Sequence, residues 1–203
     1  MAKITKVLGR QVFDSRGNPT VEAEVFLNNK VKASAIIPSG ASTGAHEAHE
    51  LRDNNEEYFL GKSVLKAVKN INTTINKSLK NKDSENQKKI DKILLDLDGT
   101  ENKTKLGANA LLAVSLATAK AEAISKKKEL YQHLGKKFIL PIPLMNIING
   151  GAHADNNLKI QEFMIRPDSA KNFMDAIEKG FLVIQNLKKI LQSKNFLINV
   201  GDE

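Results

Sequence analysis

The sequence contains no cysteine at all. Disulfide staples and zinc–thiolate centres are therefore excluded as sources of stability or chemistry. Aromatic residues make up only 5% of the chain, too few for the stacking platforms that read single-stranded nucleic acid. Arginine is equally scarce, with four positions among 31 basic residues. No apolar run approaches the ~20 residues that a membrane span needs. Met1–Arg10 lacks the apolar stretch of a secretion signal. These absences set a cytoplasmic expectation. In that setting the N-x-[ST] triplets at Asn72, Asn76 and Asn102 carry no meaning.

What is present is lysine. The formal net charge of +8 is carried mostly by lysines spread along 203 residues. Spread lysines without arginine or aromatics argue against a nucleic-acid partner. The same basic field helps recruit an anionic small molecule. An apolar share of 41% supports one large domain, or a small domain and part of another.

The stretch that the rest of the chain serves is Pro38–Glu47, PSGASTGAHE. Gly40 and Gly44 bracket the small hydroxyl residues Ser39, Ser42 and Thr43. Such a loop has a pliant backbone and groups able to meet a phosphate or a metal. It fits a solvent turn equally well. It is not an ATP-binding P-loop, because Ala45 follows Gly44 where that motif needs lysine.

Residues 4–37 read as a three-stranded antiparallel unit. Val21, Ala23, Val25 and Leu27 alternate with Glu22, Glu24 and Phe26, the period of a half-buried strand. Asn28-Asn29 is a candidate tight turn, and Val31–Ile37 repeats the alternation. Residues 62–134 switch to helical period. Val64, Val68, Ile71, Ile75 and Leu79 form an apolar stripe. Ser84 with Gln87 suggests a capping box opening a helix that Gly99 ends. Leu106–Lys126 is an alanine-rich helix buried on more than one face, and Lys126–Glu129 its solvated end.

A boundary falls near Gly135–Pro141. Ile142–Ile148 then reads as a buried strand ending in Asn149-Gly150-Gly151-Ala152-His153. Ile160–Ile165 is a second short strand, carrying Gln161 and Glu162. A helix follows with Phe173, Ile177, Phe181, Ile184, Leu187 and Leu191 on one face. Glu162 lies among Ile160, Phe163 and Ile165, which look buried, so it must be paired, protonated or functional. His153 fits a plain loop residue or a ligand. Glu203, two positions past a glycine, fits an ordinary exposed residue. Two carboxylates at strand ends also suit acid–base chemistry on a small polar substrate.

Six stretches together resemble the enolase family, in the family's order and spacing. They are DSRGNPTVEAEV (Asp14–Val25), PSGASTG (Pro38–Gly44), GANALLAVSLA (Gly107–Ala117), MNIINGGAHADNN (Met145–Asn157), IQEFMIRP (Ile160–Pro167) and VGDE (Val200–Glu203). Eubacterial members look closest, through ADNN followed by IQEFMI. The resemblance implies an α+β N-terminal domain over residues 1–134, a three-stranded antiparallel meander plus helices. It implies the beginning of a β/α (TIM-like) barrel, incomplete here, over residues 138–203. The implied reaction is the reversible dehydration of 2-phosphoglycerate to phosphoenolpyruvate, with two Mg²⁺ holding the enolate-like intermediate.

By the same resemblance Glu203 is the acid acting on the C3 hydroxyl, and Glu162 the carboxylate supporting it. Both are expected to converge on the substrate. His153 lies near the substrate phosphate, and Gln161 contacts substrate. Ser42 completes the shell of the second Mg²⁺ from a mobile loop. Arg10 and Glu22 match positions at the family's homodimer interface, where each is expected to salt-bridge the partner subunit.

The largest departure is length, since a full β/α barrel takes about 250 residues. The family's Mg²⁺ carboxylates, its lysine base and later site residues find no match in this sequence. The expectation is an N-terminal portion of an enolase, inactive alone. A non-catalytic interaction module and one half of a split enzyme are the alternatives. His49 and Asn54-Asn55 also depart from the family pattern, without implied function. Residues 1–134 are expected to fold independently, and those after about 138 to be poorly stable alone.

Overall fold

The computed structural model describes residues 1–40 and 44–199. The chain divides into two compact units, Met1–Phe138 and Ile139–Glu203.

The first unit begins with strands β1 (Ile4–Phe13), β2 (Pro19–Leu27) and β3 (Lys32–Ile37). They form an antiparallel sheet in the order β1-β2-β3. The alternation in β2 places Val21, Ala23, Val25 and Leu27 in the core, each at most 4% exposed. The β2–β3 turn differs from the Asn-Asn expectation: Lys30, not an asparagine, takes the left-handed conformation at φ 68°. Lys30 N donates to Leu27 O and Leu27 N to Val31 O, so the turn spans three residues.

The helical stripe becomes α1 (Leu65–Asn70), a π-helical turn (Ile71–Ile75) and α2 (Asn76–Leu79). Val64, Ile71, Ile75 and Leu79 are fully buried. The wider turn aims Asn72 and Asn76 at the edge strand β1. Asn76 Oδ1 accepts from Val7 N at 2.8 Å. Asn72 accepts from Gly9 N at 2.8 Å and donates to Gly9 O at 3.1 Å. Side-chain amides thus cover a sheet edge that would otherwise present unpaired backbone groups.

Helix α3 (Gln87–Asp98) ends at Gly99 in the left-handed conformation, φ 69°. Its cap corrects the expected capping box. Asn86, one residue before the helix, accepts from Lys89 N. Ser84 is instead buried, its hydroxyl 2.9 Å from Ala2 O and 2.5 Å from Glu122 Oε2, with a single proton shared between these two acceptors. It ties the N-terminus to helix α4 (Ala108–Ser125). The alanines of α4 let it lie close against β2 and β3, with Ala110, Ala113, Val114, Ala117 and Ala121 fully buried. The solvated helix end holds one exception, Lys126, which pairs with Glu85 at 2.6 Å and Glu122 at 3.4 Å. Helix α5 (Leu130–Leu134) follows.

The second unit holds β4 (Met145–Asn149), β5 (Glu162–Ile165) and α6 (Phe173–Ser193), with β4 and β5 antiparallel. The first strand starts at Met145 rather than Ile142, because Pro141 and Pro143 cannot donate to a ladder. It is half-buried, not buried. Ile160 is 57% exposed and Phe163 40%, against the expectation that both are buried. The ladder has only two strands, and α6 meets it where Gly180 admits the Met145 sulfur. No closed barrel forms among the described residues.

Candidate functional site

The second unit gathers three of the expected site residues on one hairpin. Gly150 N donates to Gln161 O at 3.0 Å and Gly151 N to Leu158 O at 2.8 Å. Gly151 sits at φ 55°, a conformation that glycine adopts without steric cost. Gly150 has ordinary extended dihedrals, but the returning chain presses on it. A β-carbon there would lie 2.5 Å from Ile160 O and 2.6 Å from Leu158 Cβ. Asn156 braces the excursion from inside, donating to Asn149 O at 2.9 Å and accepting from Leu158 N at 2.9 Å.

This fold of the loop buries His153, 6% exposed, in a short helical turn (Gly151–His153). Gln161, in the bend before β5, and Glu162, the first residue of that strand, approach different nitrogens of its ring. Gln161 Nε2 lies 2.8 Å from His153 Nε2. Glu162 Oε1 lies 3.1 Å from His153 Nδ1. With Nε2 accepting from the glutamine amide, the neutral ring carries its proton on Nδ1, the nitrogen nearer the carboxylate. The imidazole is thereby fixed in position, while Glu162 stays a third exposed at 32%. Sequence reasoning named the histidine, glutamine and carboxylate but missed Asn156 and the reason for Gly150. The Asn-rich ADNN run was the only available signal.

In the first unit, the start of the Pro38–Glu47 stretch is held by two of the four arginines. Arg16 Nη2 donates to Ser39 O at 2.5 Å. Arg52 Nη2 donates to Ser39 Oγ at 2.9 Å and to Glu50 Oε1 at 2.8 Å. Its other nitrogen reaches Pro19 O at 3.1 Å, and Lys62 O. Asp14 shapes the turn before β2, its Oδ1 accepting from Arg16 N and Asn18 N at 2.9 Å each. The bond from Asn18 leads the effects that hold the Asp14 carboxyl below its ordinary range, so it stays ionised beside both arginines. Neither arginine was marked as a positioning residue from sequence. Ser42 and Glu203 lie outside the described residues.

Arg10 and Glu22 are register partners across β1 and β2. Arg10 bonds Glu22 at 2.9 Å and Glu24 at 2.6 Å. Within the chain these expected interface residues therefore face each other. The Glu24 bond, first of several, raises the Arg10 pKa and lowers that of Glu24.

Among the described residues no three His, Asp or Glu side chains gather closely enough to hold a metal ion. The Mg²⁺ sites of the expected chemistry are thus not formed by the described residues. No helix among them is long and apolar enough to cross a membrane.

An α+β module built on an antiparallel meander, then a strand hairpin and a helix, make up the two units of the chain. Comparison with known families agrees. The family described as "Enolase, N-terminal domain" matches residues 4–134. The one described as "Enolase, C-terminal TIM barrel domain" matches residues 137–203. The chain belongs to the enolase family.

Proposed function

We propose that this chain carries part of an enolase site, acting in the reversible dehydration of 2-phosphoglycerate to phosphoenolpyruvate in glycolysis and gluconeogenesis. The family match supports a lyase at this level. The observation that carries the residue assignment is His153, buried and held between Gln161 and Glu162. To offer an N–H to an anionic substrate, this ring must give up one of the two contacts. Gln161 contacts substrate beside it. Glu162 orients and supports Glu203, the acid that protonates the departing C3 hydroxyl. Ser42 is the chain's contribution to the second Mg²⁺. When bound, Mg²⁺ supplies the positive charge that stabilises the enolate-like intermediate. In this reading the protein is cytoplasmic, and Arg10 and Glu22 lie on the face of a homodimer, as the family resemblance implies.

Nothing in these 203 residues matches the family's base or its Mg²⁺ carboxylates. The chain alone should therefore give no phosphoenolpyruvate from 2-phosphoglycerate and Mg²⁺ above the protein-free rate. Co-expression with a polypeptide supplying the remaining family barrel should give turnover, and Glu203→Gln or Glu162→Gln in this chain should abolish it. Mg²⁺-dependent turnover by the chain alone would overturn the assignment of roles.

A further inference from the structure

The first unit contains an unbalanced basic ridge. Residues 1–138 hold 24 basic against 16 acidic residues, so the whole +8 resides there. Within residues 62–92 there are nine lysines and three acids, +6 in 31 residues. Sequence alone shows lysines spread out; the helices align them. Lys66 and Lys69 on α1, and Lys77 and Lys80 at α2, are exposed opposite the buried Ile71, Ile75 and Leu79. Lysines three or four apart are neighbours on a helix surface. Among the described residues none of these four has a carboxylate oxygen within 4 Å. By contrast Lys92, Lys126 and Lys179 are paired with Asp96, Glu85 and Asp175. The acid beside the ridge, Asp53, is engaged by the Leu65 and Lys66 backbone amides, and its carbonyl takes Lys66 Nζ at 2.9 Å.

We propose that this ridge binds the phosphate backbone of nucleic acid, independently of base sequence. Its outward residues are Lys66, Lys69, Thr73, Thr74, Lys77 and Lys80, with Leu65 the one exposed apolar side chain among them, too little for the apolar centre of a protein interface. Apart from Leu65, the apolar side of the segment is spent in the core, leaving no apolar face to insert into a bilayer. Without arginine forks or aromatics on the ridge, there is no means of reading bases. Exposed ammonium groups without a carboxylate partner suit counterion-releasing phosphate contacts.

The test is fluorescence anisotropy of the 203-residue chain with two labelled DNA duplexes of unrelated sequence, titrated across salt. Four phosphate contacts give a log–log salt slope of about −3.6, the same for both duplexes. Lys69→Gln with Lys77→Gln should make the slope shallower by about 1.8 and weaken both duplexes alike. Glutamine keeps nearly the helix propensity of lysine, and circular dichroism checks that the fold survives. Lys136→Gln with Lys137→Gln should change neither slope nor affinity by as much. The proposal falls if low-salt binding is absent, if the ridge variant keeps the parent slope, or if the control pair loses as much. It also falls if phosphatidylserine vesicles are captured as tightly and with the same dependence on Lys69 and Lys77, since the ridge would then be a membrane-surface patch.

Discussion

Replacing Gly150 by alanine tests whether the site hairpin is held by close backbone approach. Gly150 adopts φ −150°, which any residue tolerates, so the conflict is one of space. The added methyl would stand 2.5 Å from Ile160 O, 2.6 Å from Leu158 Cβ and 2.8 Å from Leu158 O. Two of those atoms are backbone and the third is a β-carbon, so no rotamer change relieves them. The strands must part. Parting them stretches the Gly150–Gln161 and Gly151–Leu158 hydrogen bonds. It also draws Gln161 and Glu162 away from His153. Overpacking and two weakened bonds together cost about 2–4 kcal/mol. Amide hydrogen exchange at Gly150 and Gly151 should then accelerate about 30- to 1,000-fold. The His153 ring nitrogens, followed by ¹⁵N NMR, should lose the single-tautomer signature. Exchange within a factor of three of the parent, with the His153 signature kept, would refute the reasoning.

Other perturbations give further checks. Asn72→Ala strips both Gly9 backbone groups of their partner and should cost about 1–3 kcal/mol, read by urea unfolding under far-UV circular dichroism; a loss under 0.5 kcal/mol would contradict the edge-covering role. Asp98 is almost fully buried, and burial alone would raise its pKa. Bonds from the Thr100 hydroxyl and the Leu106, Thr100 and Lys105 amides outweigh this and leave it below its ordinary 3.8. Its contribution is therefore present above about pH 4 and is lost as pH falls below that. Asp98→Asn should lower stability at neutral pH and flatten the acid limb of an unfolding profile; an unchanged slope below pH 4 would count against it. Limited trypsin digestion should cut after Lys159, Lys171, Lys188 or Lys189 before any site in residues 1–134, and equal protection of both units would contradict the difference drawn here.

That difference follows from how apolar surface is distributed. In the first unit the alternation of β2 and the three-to-four spacing of α1 through α2 point to one shared core, and every residue these patterns name except the partly buried Val68 is buried in it. In the second unit the described buried residues are only Gly150, His153, Ala176 and Gly180. Phe181, Leu182, Ile190 and Met174 of α6 stay at least half exposed. Two strands and one helix bury too little to stand firmly by themselves. Periodicity aligned Phe173, Ile177 and Phe181 with Ile184, Leu187 and Leu191, yet the first three are exposed while Ala176 and Gly180 are buried, because period reports a face and not its neighbour. The same limit explains Ile160 and Phe163, read as buried from their company in sequence. The capping error at Ser84 is of another kind. A serine three residues before glutamine is a local signal, and a tertiary demand overrode it, since Ala2 and Glu122 compete for that hydroxyl.

The candidate site divides along the same line. Glu162 stood out in the sequence because it interrupts an apolar run, while His153 in its glycine-rich loop and Gln161 were marked by the family resemblance. Residues that aim them did not, because their partners lie far off in sequence or engage backbone. Arg52 reaches Pro19, Ser39, Glu50 and Lys62, four contacts that only a planar, many-donor head can make together. Lysine at that position would keep the charge and lose the fork. The start of the Ser42-bearing stretch is therefore set by guanidinium geometry and not by charge, just as the His153 ring is set by a glycine that leaves room for the returning strand.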